Sequence, residues 1–204
     1  MAASDEAIAR LALDFIGNDT TITTLSTDTS VAATVLQRWL TNVRMEMFQA
    51  YPWGWARKEA VLAGEADDPN NDWAKSYTYP TDCAKPLYIT SGNRVPSTIS
   101  PPTAFAVGQN SGSTLKLIFT DEDDASLTYT KLVTDTTLYT EKFVTAFALL
   151  WATKAVTKLS KGDPYGMFPR LYQMYLQALD EAKAEDATTY QRDAPPLSEF
   201  EGGR

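Results

Sequence analysis

The chain contains no histidine. That removes the usual general base near neutral pH and the commonest ligand of transition metals, and it argues against an enzyme more strongly than any other feature. A single cysteine, Cys83, excludes an internal disulfide. Without a histidine it also lacks the usual partner of a thiolate nucleophile, so it reads as a small, semi-buried residue. Basic residues are scarce beside acids, 18 against 26, for a formal net charge of -8. The electrostatic footprint of a protein that grips phosphate backbones is therefore missing. No apolar run approaches the roughly 18 residues of a membrane span. The opening MAASDEAIARLALDF carries acids and no basic n-region, so it reads as a mature start and not as a signal peptide, with folding in a reducing cytoplasm as the expectation. GxGxxG, GxxxxGK, CxxC and HExxH patterns do not occur, which leaves nucleotide, redox and zinc readings no motif.

What is present suits a folded body. The 204 residues, 44% hydrophobic and 22% charged, allow one domain, or a core domain with an insertion. In SDEAIARLALDFI, Ser4 is a natural N-cap, Asp5 and Glu6 fall in the first turn, and Ile8, Leu11, Ala12, Phe15 and Ile16 recur at helical spacing before Gly17. A polar, threonine-rich loop follows, anchored by Ile22 and Leu25. Ser30 can cap a second helix over 31–50, with Val35, Leu36, Trp39, Leu40, Val43, Met47 and Phe48 on one stripe and Gln37, Arg38, Asn42 and Glu46 opposite. Pro52 ends it.

From residue 57 to 139 prolines, glycines and short β-prone runs take over. The expected strands are 58–62, 86–90, 104–107, 115–120 and 127–133, the last two joined by DEDDAS as a hairpin loop. Helical spacing returns after Thr140, through Phe143, Val144, Phe147, Leu150, Trp151, Ala155 and Leu159, and stops at Gly162. A fourth helix starts near Asp163 or Pro169, with Leu171, Met174, Tyr175, Ala178, Leu179 and Ala182 on one side. The reading is an α+β fold: a bundle of about four helices (1–56 and 140–187), a β-rich insertion (57–139) between the second and third, and an extended tail (188–204). From Asp180 onward seven acids face three bases, so that end reads as exposed or bound by a partner.

Three stretches invite chemistry. YPWGWARK (51–58) can be a stacking platform, but Pro52 and Gly54 also make it a turn whose Trp53 and Trp55 plug the seam between bundle and insertion. DEDD (121–124) suggests a hard cation, yet it lacks the spacing of a calcium loop and reads as a solvated turn. Asp163, Asp180, Glu181 and Glu185 can pair as acid and base only if the fold brings two of them across a cleft. No catalytic, cofactor or metal residue is assigned.

Two blocks carry a family resemblance: Ile16-Gly17, Leu25, Asp28, Ser30, Arg44 and Glu46, then Pro52, Trp53, Ala56 and Arg57; and Trp73, Tyr77, Tyr79, Pro80, Asp82 and Cys83. Together they resemble the head-to-tail connector (adaptor) proteins of tailed phages, the tail tubular protein A type of short-tailed phages. Trp55 stands where that family more usually has phenylalanine, and 92–135 matches only in strand-rich character. The resemblance implies a non-enzymatic virion protein at the head-to-tail interface, assembled in the host cytoplasm. It implies a homo-oligomeric ring, usually of twelve copies, that joins the portal protein to the tail nozzle protein. DNA would pass through the lumen without sequence-specific binding, and no membrane or cofactor is involved. It gives Trp53, Trp55, Arg57, Trp73, Tyr79, Pro80 and Asp82 a structural role and sends the tail, with Tyr190, Arg192, Pro195, Pro196, Leu197 and Phe200, toward the portal. The competing readings are a tail-associated hydrolase using carboxylates and a carbohydrate-binding module using Trp53, Trp55 and Trp73.

Overall fold

A computed structural model describes residues 4–65, 72–90, 103–162 and 166–189. Four helices, α1 (Asp5–Ile16), α2 (Val31–Ala50), α3 (Glu141–Leu159) and α4 (Met167–Thr189), flank six strands. The strands are β1 (Arg57–Val61), β2 (Lys75–Thr78), β3 (Cys83–Thr90), β4 (Ala106–Gln109), β5 (Lys116–Thr120) and β6 (Ser126–Lys131). The α+β fold, with its β insertion between α2 and α3, is the one the sequence predicts.

Capping sets the helix boundaries. Ser4, Ser30 and Thr140 each accept from the amide three residues on, at Ala7, Ala33 and Phe143, which satisfies a donor that the first turn leaves open. Gly17 closes α1 in the left-handed region at φ 72°, where its amide and that of Asn18 reach back to Asp14 and Leu13. At the end of α3 both Lys161 (φ 53°) and Gly162 (φ 99°) have positive φ, and the Gly162 amide reaches back to Thr157. The stop is where the sequence puts it, with Lys161 already turned out of the helix. α4 runs on to Thr189, past the predicted start of the tail at 188.

α3 is the axis of the bundle and touches α1, α2 and α4. A helix so placed must be apolar on nearly every side, and eleven of its residues from Phe143 to Val156 are buried. The indole of Trp151 donates to the Leu36 carbonyl at 2.9 Å and fixes α3 on α2. Ion pairs add outer ties: Arg44 to Asp5 at 2.6 Å, and Lys154 to Glu46 at 2.9 Å. Glu46, predicted opposite the apolar stripe, keeps its side chain 44% exposed while its carboxylate reaches Lys154 of α3. Gln37, predicted on the same face, donates to the Leu25 carbonyl and pins the loop whose Ile22 and Leu25 are buried. In α1 the buried positions include Ala9 and Leu13, while Leu11 and Phe15 pack half-buried at the margin.

The insertion holds two antiparallel three-stranded sheets, ordered β1-β6-β3 and β2-β5-β4. Both give side chains to a second apolar core made of Leu62, Tyr77, Cys83, Ile89, Ile118, Ala125, Leu127 and Tyr129. The DEDDAS hairpin is overturned. β5 and β6 lie in different sheets, and residues 121–125 form a corner at which the chain changes sheet. The corner is held by its own acids: Asp121 accepts from the Ala74 amide at 2.9 Å, Lys75 pairs with Asp123 at 2.8 Å, and the Tyr77 hydroxyl donates to the Glu122 carbonyl at 2.7 Å. β2 lies in none of the expected runs, being only four residues long. β3 begins three residues before Pro86, which an edge strand tolerates because its missing N–H can face away from the ladder, and the register shifts beside it.

Gly108 of β4 lies against the ring of Phe119, where an added Cβ would stand 2.6 Å from the ring carbon Cε2. Gly108→Ala is expected to destabilise the protein by about 1–3 kcal/mol, with amide exchange rising first in β4 and β5. Unchanged exchange in those two strands would show that the ring moves aside freely.

Candidate functional site

Residues 51–57 do occupy the seam. Tyr51 leaves α2 in an extended conformation (φ -151°, ψ 150°), and Gly54–Ala56 form a single 3-10 turn that hands the chain to β1. Trp53 is 1% exposed, and its indole donates to the Met47 carbonyl at 2.8 Å, closing the turn onto the helix it has just left. Trp55 is half-buried. The two indoles are tilted by 43° with centroids 6.5 Å apart, so they offer no flat exposed platform for a sugar or base.

The rings converge on Phe143, in the first turn of α3. Its centroid lies 5.3 Å from Phe48, 5.0 Å from Trp53, 5.2 Å from Trp55, 4.9 Å from Tyr139 and 6.3 Å from Phe147. Trp53 and Trp55 both meet it edge to face, at 87° and 86°. Each such pair contributes about 0.5–1.5 kcal/mol beyond the area it buries. The Tyr139 hydroxyl donates to the Val133 carbonyl at 2.7 Å, tying the exit from β6 to the same cluster. Burial pushes the Tyr139 hydroxyl up to about 12, and that of Tyr175 on α4 likewise to about 12.

α4 closes the turn from outside. The Asp186 carboxylate takes the Gly54 amide at 2.8 and 3.1 Å and is itself buried. The sequence counts Asp186 among the acids of an exposed end; its spacing from Leu171, Tyr175, Leu179 and Ala182 is the overlooked sign that it belongs to the buried stripe. Phe143 sits in the predicted stripe of α3 without any sign of its five partners. Between the turn and α4 lies a cavity of about 190 Å³ lined by Gly54, Trp55, Thr140, Glu185, Asp186 and Thr189.

The second sequence block stands at the junction of the two cores. Asp82 accepts from Lys58 at 2.8 Å through one oxygen and from the Tyr129 hydroxyl at 2.7 Å through the other. Burial opposes its charge, but those two hydrogen bonds outweigh it and hold the Asp82 carboxyl below the ordinary carboxylate range. Tyr79 lies under Lys116, whose ammonium is 3.7 Å from the ring centroid, and burial raises its hydroxyl well above the usual value. Pro80 opens the turn in which its carbonyl accepts from the Cys83 amide at 3.1 Å. Cys83 is buried, and that burial raises its thiol, which stays protonated near neutral pH. Arg57 and Trp73 are both half-buried, Arg57 beginning β1 opposite Thr130. Gln49 donates to the Ala84 carbonyl at 3.2 Å and Lys85 to the Gln49 carbonyl at 3.1 Å, which stitches α2 to β3.

Among the described residues no group of three or more Cys, Asp or Glu side chains is placed to hold a metal, and no helix is long and apolar enough to cross a membrane. Asp163, Tyr190, Arg192, Pro195, Pro196, Leu197 and Phe200 lie outside the described residues. No protein-family model and no curated protein matches the chain.

Trp53→Ala is expected to lower stability by about 3–5 kcal/mol, as truncating a fully buried aromatic does. A melting temperature within a degree of the parent would refute the core assignment. Two flanks of the pH profile follow from the shifted groups. Asp82 has a depressed folded pKa, so its stabilisation is present above about pH 4 and is lost as the pH falls below that. Tyr139 and Tyr175 have raised folded values, so theirs is present below about pH 10 and is lost as the pH rises through 10 to 12. Denaturant melts of Asp82→Asn and Tyr139→Phe should flatten the acid and alkaline flanks respectively; parallel profiles would show that other groups govern them.

Proposed function

We propose that this chain is a structural ring subunit, a head-to-tail adaptor that joins a phage portal to its tail nozzle around the DNA channel. The observation that carries the reading is the use made of the two sequence blocks in which the resemblance resides. Trp53, Ala56 and Pro52 lie in the turn that joins bundle to sheets, and Tyr79, Pro80, Asp82 and Cys83 in the turn beside the second core. Residues so employed give a shape and no reaction, which suits a part whose work is to fit its neighbours.

Exposed apolar side chains support it from another direction. α4 presents Phe168 and Tyr172, stacked at 6.4 Å, together with Met174, while the insertion presents Val61 and Val107 on its strands and Leu115 just before β5. Large apolar residues on both bundle and insertion suit a subunit with more than one contact face. Subunits with a heterologous contact close into a ring when the rotation between them allows. The acidic balance of the chain, -8, is that of a bore past which DNA slides without sticking.

Mixed with the portal protein of its own virus, the full chain is expected to form a ring on the portal's tail-facing end, visible by negative-stain microscopy and as a faster boundary in sedimentation. Removing residues 190–204 should leave the melting temperature nearly unchanged and abolish the joint. A full-length chain that sediments as a lone monomer beside the portal would contradict the proposal, and a truncated one that still joins would move the docking surface onto the described body.

A further inference from the structure

The phase of the β4 ladder follows from the bond that closes its hairpin, the Asn110 amide to the Leu115 carbonyl at 3.0 Å. Hydrogen-bonded pairs alternate along an antiparallel ladder, so Ala106 and Gly108 turn their N–H and C=O groups to β5 while Val107 and Gln109 turn theirs outward. Those outward groups have no partner among the described residues. Both residues are exposed, Val107 at 41%. The edge is also held ready, because the Asn110 side-chain oxygen takes the Thr114 and Leu115 amides at 2.8 and 2.9 Å. Open edges are normally blunted by charge, proline, a bulge or a cover. The other three edge strands are: β1 carries Arg57, Lys58 and Glu59, and β3 carries Lys85, Pro86 and two register shifts. β2 is covered by the chain after β1, where the Ala63 carbonyl accepts from the Thr78 amide and the Glu65 amide donates to the Ser76 carbonyl, both at 2.9 Å. β4 has none of these. Residues 103–115, TAFAVGQNSGSTL, hold neither a charge nor a proline, and the register against β5 is unbroken.

We propose that β4 pairs antiparallel with β4 of a second copy of this chain, about a two-fold axis at Val107. An antiparallel pair centred on an outward-facing residue joins all the open groups at once. Each Val107 N–H donates to the other copy's Val107 carbonyl, and each Gln109 meets residue 105 of the other copy, the next position in the same phase. The two Val107 side chains then lie directly opposite one another on one face, while Ala106 and Gly108 put no bulk on the other. An uncharged edge is what this symmetry needs, because a two-fold sets residues beside their own copies and like charges directly opposite repel. A foreign strand is selected instead by side-chain pockets or charges along the edge, and 103–115 offers no charge for that purpose. Pairing makes one six-stranded sheet from the β2-β5-β4 sheets of two copies. The two-fold closes the pair, so it builds no ring by itself and does not rest on the ring reading.

The test is sedimentation equilibrium of the full-length chain alone, with no portal protein present. So short an edge makes a weak joint, so the mass should rise from 22.5 kDa toward twice that value as the concentration goes from about 1 µM to about 1 mM. Between dilute and concentrated samples the Val107 and Gln109 amides should slow in hydrogen exchange, and those of Ala106 and Gly108, already in the ladder, should change less. Val107→Pro removes the central N–H without breaking a β4–β5 bond, and Val107→Lys sets two like charges on the axis. Each should hold the chain at the monomer mass, and the lysine variant, altered at an exposed side chain, keeps the test if the proline disturbs β4. A chain that is monomeric throughout, or a dimer that both variants leave intact, would overturn the proposal. Protection of the 107 and 109 amides that develops only on adding a portal protein would overturn it too, assigning the edge to an unlike strand.

Discussion

The fold depends on one side chain having five aromatic neighbours. Phe143 opens α3, and the rings around it come from the end of α2, the tryptophan turn, the exit from the β insertion and the next turn of α3 itself. Chain segments that are distant in sequence must therefore all be in place before the full set of these contacts is complete. Edge-to-face geometry recurs because the positive rim of one ring seeks the negative face of the next, so the cluster has directional preference as well as area. This is why a turn containing a glycine and a proline can be stiff: Pro52 blocks continuation of the helix, Trp53 is bonded back to Met47, and Gly54 is clasped by Asp186.

From that joint the two cores divide the labour. The bundle core is apolar almost throughout and built on α3; the core between the sheets is smaller and meets water through Lys58 and Asp82, the latter taking the hydroxyl of the buried Tyr129. The corner at 121–125 and the shifted register in β3 bend the insertion back on itself, so that two short sheets share one interior. The result is a body whose bundle and insertion both carry exposed apolar side chains, at Phe168, Tyr172, Val61, Val107 and Leu115 among others. In the adaptor role proposed above, those apolar side chains on both parts are the surfaces that unlike partners would cover.

Helices were the most legible part of the sequence. Ser4, Ser30 and Thr140 announce their caps, and the stripes of α2 and α4 predict most of their buried residues, because period and capping are local properties. Strand pairing is not local. The acids at 121–124 look alike whether they cap a hairpin or turn a corner, and only tertiary contacts with Ala74, Lys75 and Tyr77 decide between the two. The seam was half legible: Trp53 and Trp55 mark it, but Phe143 as its hub and Asp186 as its clasp come from more than 80 residues away. Glu185 and Trp55 line one cavity only once α4 lies over the turn, which no spacing in the chain reveals.

The claim most exposed to test is that the aromatic joint unites bundle and sheets into one cooperative body. Native-state hydrogen exchange on Phe143→Leu, a change that keeps the site apolar while removing the ring, addresses it directly. Protection should fall together in α2, α3, β1 and β6. If exchange accelerates in the helices alone while the sheets keep their protection, the two cores are independent and the joint is merely a packed turn.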